Sequence, residues 1–321
     1  MRPKPRFALI NVENISPSQR PSLKGGAVAL GFFDGCHLGH QEILKRCLAL
    51  GSEQSAVLTF PEHPGLAIPG RQPPPLLTTA EERIELLESL GMKVFLRSFD
   101  REFSTWSSER FVEELLVDGL GVAHVVVGHD YRFGHRAAGD VDKLRRLGQE
   151  HGFEVTVVPA VSTEEGEPLI ISSTKIRQAV AEGELELAAR LLGRPYTVSA
   201  KVVSGQRRGR TIGFPTANLV FPSEKVQPPY GVLAVRVKLP SGEVVPGVAN
   251  FGLRPTVEAQ AEEPRLEVHL FDFSADLYEQ TLKVELISGL REERKFASFE
   301  ELRAQIERDA QAAKALLLNG G

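Results

Sequence analysis

Residues 31–40 read GFFDGCHLGH, directly after the apolar run Ala27–Leu30. Three glycines, an aspartate and two histidines three apart sit where a strand hands over to a helix. Such a turn admits three readings. His37 and His40 on one helical face could share a metal ion. Cys36 and His37 are adjacent and point in different directions, however, so a convergent thiolate–imidazole set is disfavoured. Either histidine alone could be an ordinary packing residue. The third reading is a polyphosphate site, and it uses every part. Gly31, Gly35 and Gly39 bring main-chain N–H groups close to an anion. The helix starting near Leu38 points its positive end at the same place. Two imidazoles on its first turn can donate to phosphate oxygens, which is what transfer of a nucleotidyl group needs.

A second segment with chemical content is SGQRRGRTIGFPTANL, residues 204–219. Three arginines in a chain of formal net charge -4, without aromatic interleaving, make a weak nucleic-acid patch. A glycine-rich phosphate loop fits better. Thr216 and Asn218 are two apart and share a face if extended. Both offer hard oxygen ligands suited to Mg²⁺. Ser172, Ser173 and Thr174 stand at an expected helix start with Arg177 one turn on, where an ordinary Ser/Thr cap is also common.

The elements that must hold these residues fall into two groups. At 321 residues, two domains are the default. Short apolar runs at Ala27–Leu30, Ser55–Phe60, Val94–Phe99, His124–Gly128 and Glu154–Pro159 read as buried parallel strands. Helical patterns at Leu38–Ala49, Thr79–Leu90, Ser107–Gly119 and Asp140–Gly152 alternate with them, which predicts a doubly wound, Rossmann-like α/β sheet. Such sheets bind ligands at the carboxyl ends of their strands. One further helix is expected over Thr174–Leu192, stopped by Gly193-Arg194-Pro195. Beyond it, Thr197–Val203, Gly231–Lys238, Val244–Asn250, Arg265–Phe273 and Leu282–Leu290 read as strands of an antiparallel β-barrel or sandwich. A closing helix from Ser298 offers Phe299, Leu302, Ile306, Ala310, Ala313 and Leu317 as one apolar face to cover it. The domains expected are therefore 1–193 and 194–321.

The composition is 42% hydrophobic and 25% charged, as in a soluble globular protein. Two cysteines are too few for a disulfide framework and suit a reducing, cytoplasmic setting. No apolar run approaches the ~18 residues of a membrane span, and no secretory leader is evident. Ile68–Pro75 reads as a long surface loop.

His37-Leu38-Gly39-His40 resembles the HxGH motif of nucleotidyltransferases, and ALGFFDGCHLGHQEIL resembles the adenylyltransferase half of the bifunctional bacterial riboflavin kinase/FAD synthetase family. ISSTKIR (171–177) resembles that superfamily's second motif. The resemblance implies that Gly31, Phe33, Asp34, Gly35, Gly39, Ser172, Ser173 and Thr174 bind nucleotide, while His37, His40 and Arg177 act catalytically on ATP phosphates. VVVGHDYRFGHRAAGD (125–140) resembles the family's flavin segment, with Asp130 and Phe133 as contacts. GFPTANL resembles the riboflavin kinase motif, implying that Gly209, Thr211, Gly213, Phe214, Pro215, Thr216 and Asn218 bind nucleotide and that Thr216 and Asn218 hold Mg²⁺. PPYGV (228–232), GVANFGLRPT (247–256) and LEVHLFDF (266–273) follow in the family's order. They imply Glu267 as general base and Asn250 and Arg254 as flavin contacts. A solvent-facing strand glutamate like Glu243 or Glu285 would look the same as Glu267; periodicity does not separate the three. Phe32 stands where many members have Asn, and Glu279 where Gly is frequent. Pro61-Glu62-His63-Pro64 departs from the family's order, and a proline-bounded turn explains His63 as well.

The resemblance implies phosphorylation of riboflavin to FMN by Mg·ATP in the C-terminal domain. It further implies adenylylation of FMN to FAD, with release of pyrophosphate, in the N-terminal one. The alternatives are a non-catalytic flavin-nucleotide binding or regulatory protein, or an adenylyltransferase for another phosphate monoester. Partners are small molecules, with no nucleic acid and no membrane; the oligomeric state is not readable.

Overall fold

The computed structural model describes residues 10–11, 23, 25–51, 54–163, 168–204, 214–255 and 262–319. They form two compact units, the first drawn from residues 1–74 and 80–172, the second from 75–79 and 173–321.

The first unit is a six-stranded parallel sheet. Its elements are β1 (Ile10–Asn11), β2 (Ala27–Leu30), α1 (Leu38–Gly51), β3 (Ala56–Thr59), α2 (Ala80–Ser89), β4 (Lys93–Leu96), α3, β5 (His124–Gly128), α4 (Val141–His151) and β6 (Glu154–Val158). Helix α3 starts as Ser108–Arg110 and continues as a π-helical stretch, Phe111–Leu120. The strand order is β1-β4-β3-β2-β5-β6, so the order reverses beside β2. β2 and β3 are buried throughout, because apolar side chains cover both faces of the sheet. Val28, Leu30, Phe95, Val125 and Val127 pack with α3 and α4 residues on one side. Ala29, Val57, Val94 and Val126 pack with α1 and α2 residues on the other. Ser107 caps α3 by accepting from the Arg110 N–H at 3.0 Å, and Asp140 caps α4 through the Lys143 N–H at 2.9 Å.

The second unit is a closed antiparallel barrel. Its strands are β7 (Tyr196–Val203), β8 (Ala217–Val220), β9 (Gly231–Lys238), β10 (Val244–Pro255), β11 (Glu262–Leu270) and β12 (Thr281–Glu292), ordered β10-β11-β8-β7-β12-β9. Side chains such as Val198, Leu219, Val235, Leu266 and Leu286 are fully buried within it. Closure removes the edges that an open sheet would expose.

Three expectations need correction. The single helix over Thr174–Leu192 is two helices, α5 (Ser173–Ala181) and α6 (Leu185–Leu192). Gly183, at φ +81°, breaks them, in the left-handed region that favours glycine. Ala217–Val220 is a barrel strand in its own right. In the closing helix α7 (Phe299–Asn319), Ala313 and Leu317 are buried against Val232, Ala234, Val248 and Phe271. Phe299, by contrast, is 66% exposed. The apolar stripe is continuous in sequence, but only its C-terminal half meets the barrel.

Candidate active sites

In the first unit the chain leaves β2 through a tight loop. Phe33 (φ +57°), Gly35 (φ +80°) and Cys36 (φ +41°) all lie in left-handed conformations. Non-glycine residues there store strain, and such strain gathers at functional sites. The Cys36 N–H donates to the Phe33 carbonyl at 3.0 Å, closing the turn. The Thr59 hydroxyl donates to the Phe32 carbonyl at 3.1 Å, tying the loop to the end of β3. Gly31 has a steric role: a Cβ there would sit 3.0 Å from the Phe33 ring.

His37 is the N-cap of α1. Its carbonyl accepts the Gln41 N–H at 2.9 Å, and its Nδ1 accepts the His40 N–H at 3.3 Å. An accepting Nδ1 carries no hydrogen, so the tautomer is fixed with the hydrogen on Nε2. The two imidazoles stack, with centroids 3.6 Å apart and planes at 17°. The Phe33 ring is buried and meets His40 edge-on at 5.2 Å. A Cβ on Gly39 would lie 3.2 Å from the His37 ring and 3.9 Å from the Ile171 carbonyl oxygen. Thus the start of the ISST segment reaches the HxGH turn. Asp34 and His37 are both buried.

Sequence reasoning missed one residue that packs against this loop. Arg83 on α2 is fully buried. Its Nη2 donates to the Phe60 and Pro61 carbonyls at 2.7 and 2.8 Å, and its guanidinium lies 4.2 Å from the centre of the Phe32 ring. Burial lowers its pKa, opposed first by the charge of Asp34. In the helical string AEERIELLES an arginine reads as a solvated charge, so no sequence signal marked it. His63 accepts the Gly65 N–H at 2.9 Å, a turn role, and its ring meets Phe32 edge-on at 5.1 Å. At the end of β5, Asp130 is exposed while Phe133 is buried in the core against Phe111 and Tyr131.

In the second unit, α5 begins at Ser173, which places Ser173 and Thr174 in its first turn and Arg177 one turn on. Ser172 precedes the helix and belongs to the first unit.

Three predicted residues of the barrel form a row. Strand register sets Asn250 on β10 opposite Glu267 on β11, and Glu267 opposite Asn218 on β8. Opposed residues share a face. Leu266, Val268, Leu219, Ala249 and Phe251 alternate with them and are buried, so the row faces out of the barrel. Neither other glutamate has such neighbours. Glu243 is exposed, and Glu285 stands opposite Arg236. The Asn250 amide donates to Glu293 at a long 3.5 Å. A cavity of about 510 Å³ opens beside the row, lined by Pro215, Thr216, Asn218, Phe273, Asp276 and Tyr278 among others. Phe214 lies edge-on to His269 at 5.1 Å. Gly209, Thr211 and Gly213 lie outside the described residues. Arg254 pairs with Glu263 through its main chain, and its side chain lies outside them too.

Among the described residues, no group of three or more His, Cys, Asp or Glu side chains could hold a metal ion. The oxygen donors of Thr216 and Asn218, with a carboxylate across the ladder, would fit a hard cation such as Mg²⁺ better than zinc.

Comparison with known proteins matches a separate family model to each part of the chain. A FAD synthetase family model matches residues 19–175, and a riboflavin kinase family model matches residues 192–317. The bifunctional riboflavin kinase/FMN adenylyltransferase of Haemophilus influenzae is 40% identical over 297 residues, 91% of this chain and 94% of that protein. The protein of the same name from Bacillus subtilis is 39% identical over 294 residues, 89% of this chain and 90% of that one. A crystal structure from Streptococcus pneumoniae, named a macrolide-efflux protein, has a TM-score of 0.81 at 31% identity, covering 95% of this chain and 97% of that one. Among the described residues no helix is long and apolar enough to cross a membrane, and the two family models together span the motifs described above except Ile176 and Arg177, which fall between them. The chain belongs to the family of bifunctional riboflavin kinase/FMN adenylyltransferases.

Proposed function

We propose that the chain makes FAD from riboflavin in two steps on its two domains, with the functional boundary at 193/194. In the barrel, the ribityl 5′-hydroxyl attacks the γ-phosphorus of ATP, giving FMN and ADP. An alcohol of high pKa needs a positioned proton acceptor, and Glu267 takes that proton. Asn250 and Arg254 hold the flavin. The glycine-rich segment with Gly209, Thr211, Gly213, Phe214 and Pro215 holds the nucleotide. Thr216 and Asn218 hold Mg²⁺, which when bound offsets the charge of the phosphates.

In the α/β domain, a phosphate oxygen of FMN attacks the α-phosphorus of a second ATP and pyrophosphate leaves. That nucleophile is already anionic and needs no general base. Positioning and charge stabilisation remain. His37 and His40 donate to the transferring phosphate, and Arg177 with Ser172, Ser173 and Thr174 holds the other phosphates. Gly31, Phe33, Asp34, Gly35 and Gly39 shape the loop. Asp130 faces the flavin, and Phe133 shapes that side of the site from the core. Small molecules are the partners, with neither nucleic acid nor membrane, in a cytoplasmic setting.

The observation that carries this reading is the presence of two unlike sites: a stacked histidine pair at the start of a helix, and a carboxylate set between two amides on a barrel wall. The test is a time course of purified protein with riboflavin, ATP and Mg²⁺, separating FMN from FAD. FMN should rise first and FAD follow. Tight FAD binding with no turnover would indicate a regulatory flavin-binding protein instead.

A further inference from the structure

His269 lies two residues beyond Glu267 on β11 and therefore on the same outward face. Its Nδ1 is 2.9 Å from the Pro215 carbonyl oxygen. A carbonyl only accepts, so this nitrogen carries the hydrogen and donates. The bond falls where the sheet stops providing one. The β11–β8 ladder ends at Val268 opposite Ala217, and Pro215 has no N–H with which to extend it. The Phe214 ring meets the imidazole edge-on at 5.1 Å, and the Phe271 ring does so at 5.9 Å. A side chain thus ties down the segment that leads into Thr216, where main-chain pairing has run out. Pro215, Thr216 and Asn218 all line the 510 Å³ cavity.

We infer that His269 is a positioning residue of the phosphoryl-transfer site. It holds the Pro215 carbonyl so that the Thr216 hydroxyl and Asn218 amide present together toward Mg·ATP. The imidazole is only partly buried, so its loss bears on the order of this segment more than on the fold. The inference rests on the reading of Thr216–Asn218 as the nucleotide segment.

The test uses the full-length chain with His269→Leu, which fills similar space without a donor, and His269→Asn, whose amide can place a donor near Nδ1. Loss of one hydrogen bond at the upper end of its net worth corresponds to about tenfold. His269→Leu should raise the kinase KM for ATP and weaken calorimetric ADP binding by about tenfold, with a smaller change in kcat. His269→Asn should lie within about threefold of the parent. FAD formation from supplied FMN should be unchanged in both. The inference is overturned if His269→Leu keeps the parental KM and ADP affinity, if His269→Asn is as impaired as His269→Leu, or if both steps fall together. Thr216→Val separates this from the underlying reading. If that variant binds ADP and ATP like the parent, the reading of the segment itself fails. If it is impaired while His269→Leu is not, only the role of His269 is lost.

Discussion

Replacing His37 separates a structural role from a chemical one. Its Nδ1 caps α1 through the His40 N–H, its ring is 6% exposed, and its Nε2 is left as the donor. His37→Ala removes the cap, worth about 1 kcal/mol, together with ring packing against His40, so a stability loss of about 1–2 kcal/mol is expected. His37→Asn restores a good capping side chain and should stay within about 1 kcal/mol of the parent. For the reaction the two should behave alike. Each lacks an imidazole donor aimed at the transferring phosphate, a loss of about 2.7–4 kcal/mol, or roughly 10²–10³ in kcat. The assay pairs urea unfolding of each variant with the initial rate of FAD formation from FMN and ATP. If His37→Asn forms FAD at the parental rate, His37 is a helix cap and nothing more. If His37→Ala loses no stability, the cap geometry is wrong.

Burial pushes the Cys47 thiol from 9.0 up to about 12, so the folded state resists ionisation that the unfolded chain accepts. Stability from this group is full below pH 9 and is lost from there toward pH 12, by up to ~1.4 kcal/mol per unit. Denaturant melts from pH 8 to 10.5 should show that fall, and Cys47→Ala should lack it. Glu279 sits at φ +61°, in the left-handed region that favours glycine. Glu279→Gly relieves roughly 1 kcal/mol of strain and gives up an exposed ion pair with Lys201 worth about 0–1. The stability should hold or rise, and a loss beyond ~1 kcal/mol in denaturant melts would count against the argument. Thr216→Val should raise the Mg²⁺ concentration for half-maximal FMN formation severalfold while FAD formation from FMN stays intact; an unchanged Mg²⁺ titration would remove Thr216 from the metal site.

Much of this was legible in the amino-acid sequence for a simple reason. Buried parallel strands such as Ala27–Leu30 and His124–Gly128 are short apolar runs, and the helices between them keep one period. The barrel was harder to read. In β12 the register shifts between Leu286 and Ser288 and again between Gly289 and Arg291, so alternation fails where the strand bends. β8 is four residues long and follows a glycine-rich segment, which hid it. The HxGH and PTAN residues stood out by type and spacing. That Glu267 differs from Glu243 and Glu285 did not, because its distinction is the pair of amides across the ladder, and register is fixed by pairing partners rather than by neighbours in sequence. Arg83 and His269 were hidden likewise, since each acts through main-chain carbonyls distant in sequence.

The division of labour between the two domains is tested most directly by complementation. Glu267→Gln, incubated with riboflavin and Mg·ATP, should yield neither FMN nor FAD, and His40→Ala should yield FMN alone. Mixed in one tube, they should make FAD, since FMN released by one variant is adenylylated by the other. A mixture that makes no FAD although FMN accumulates, or a His40→Ala protein unable to make FMN, would contradict the account.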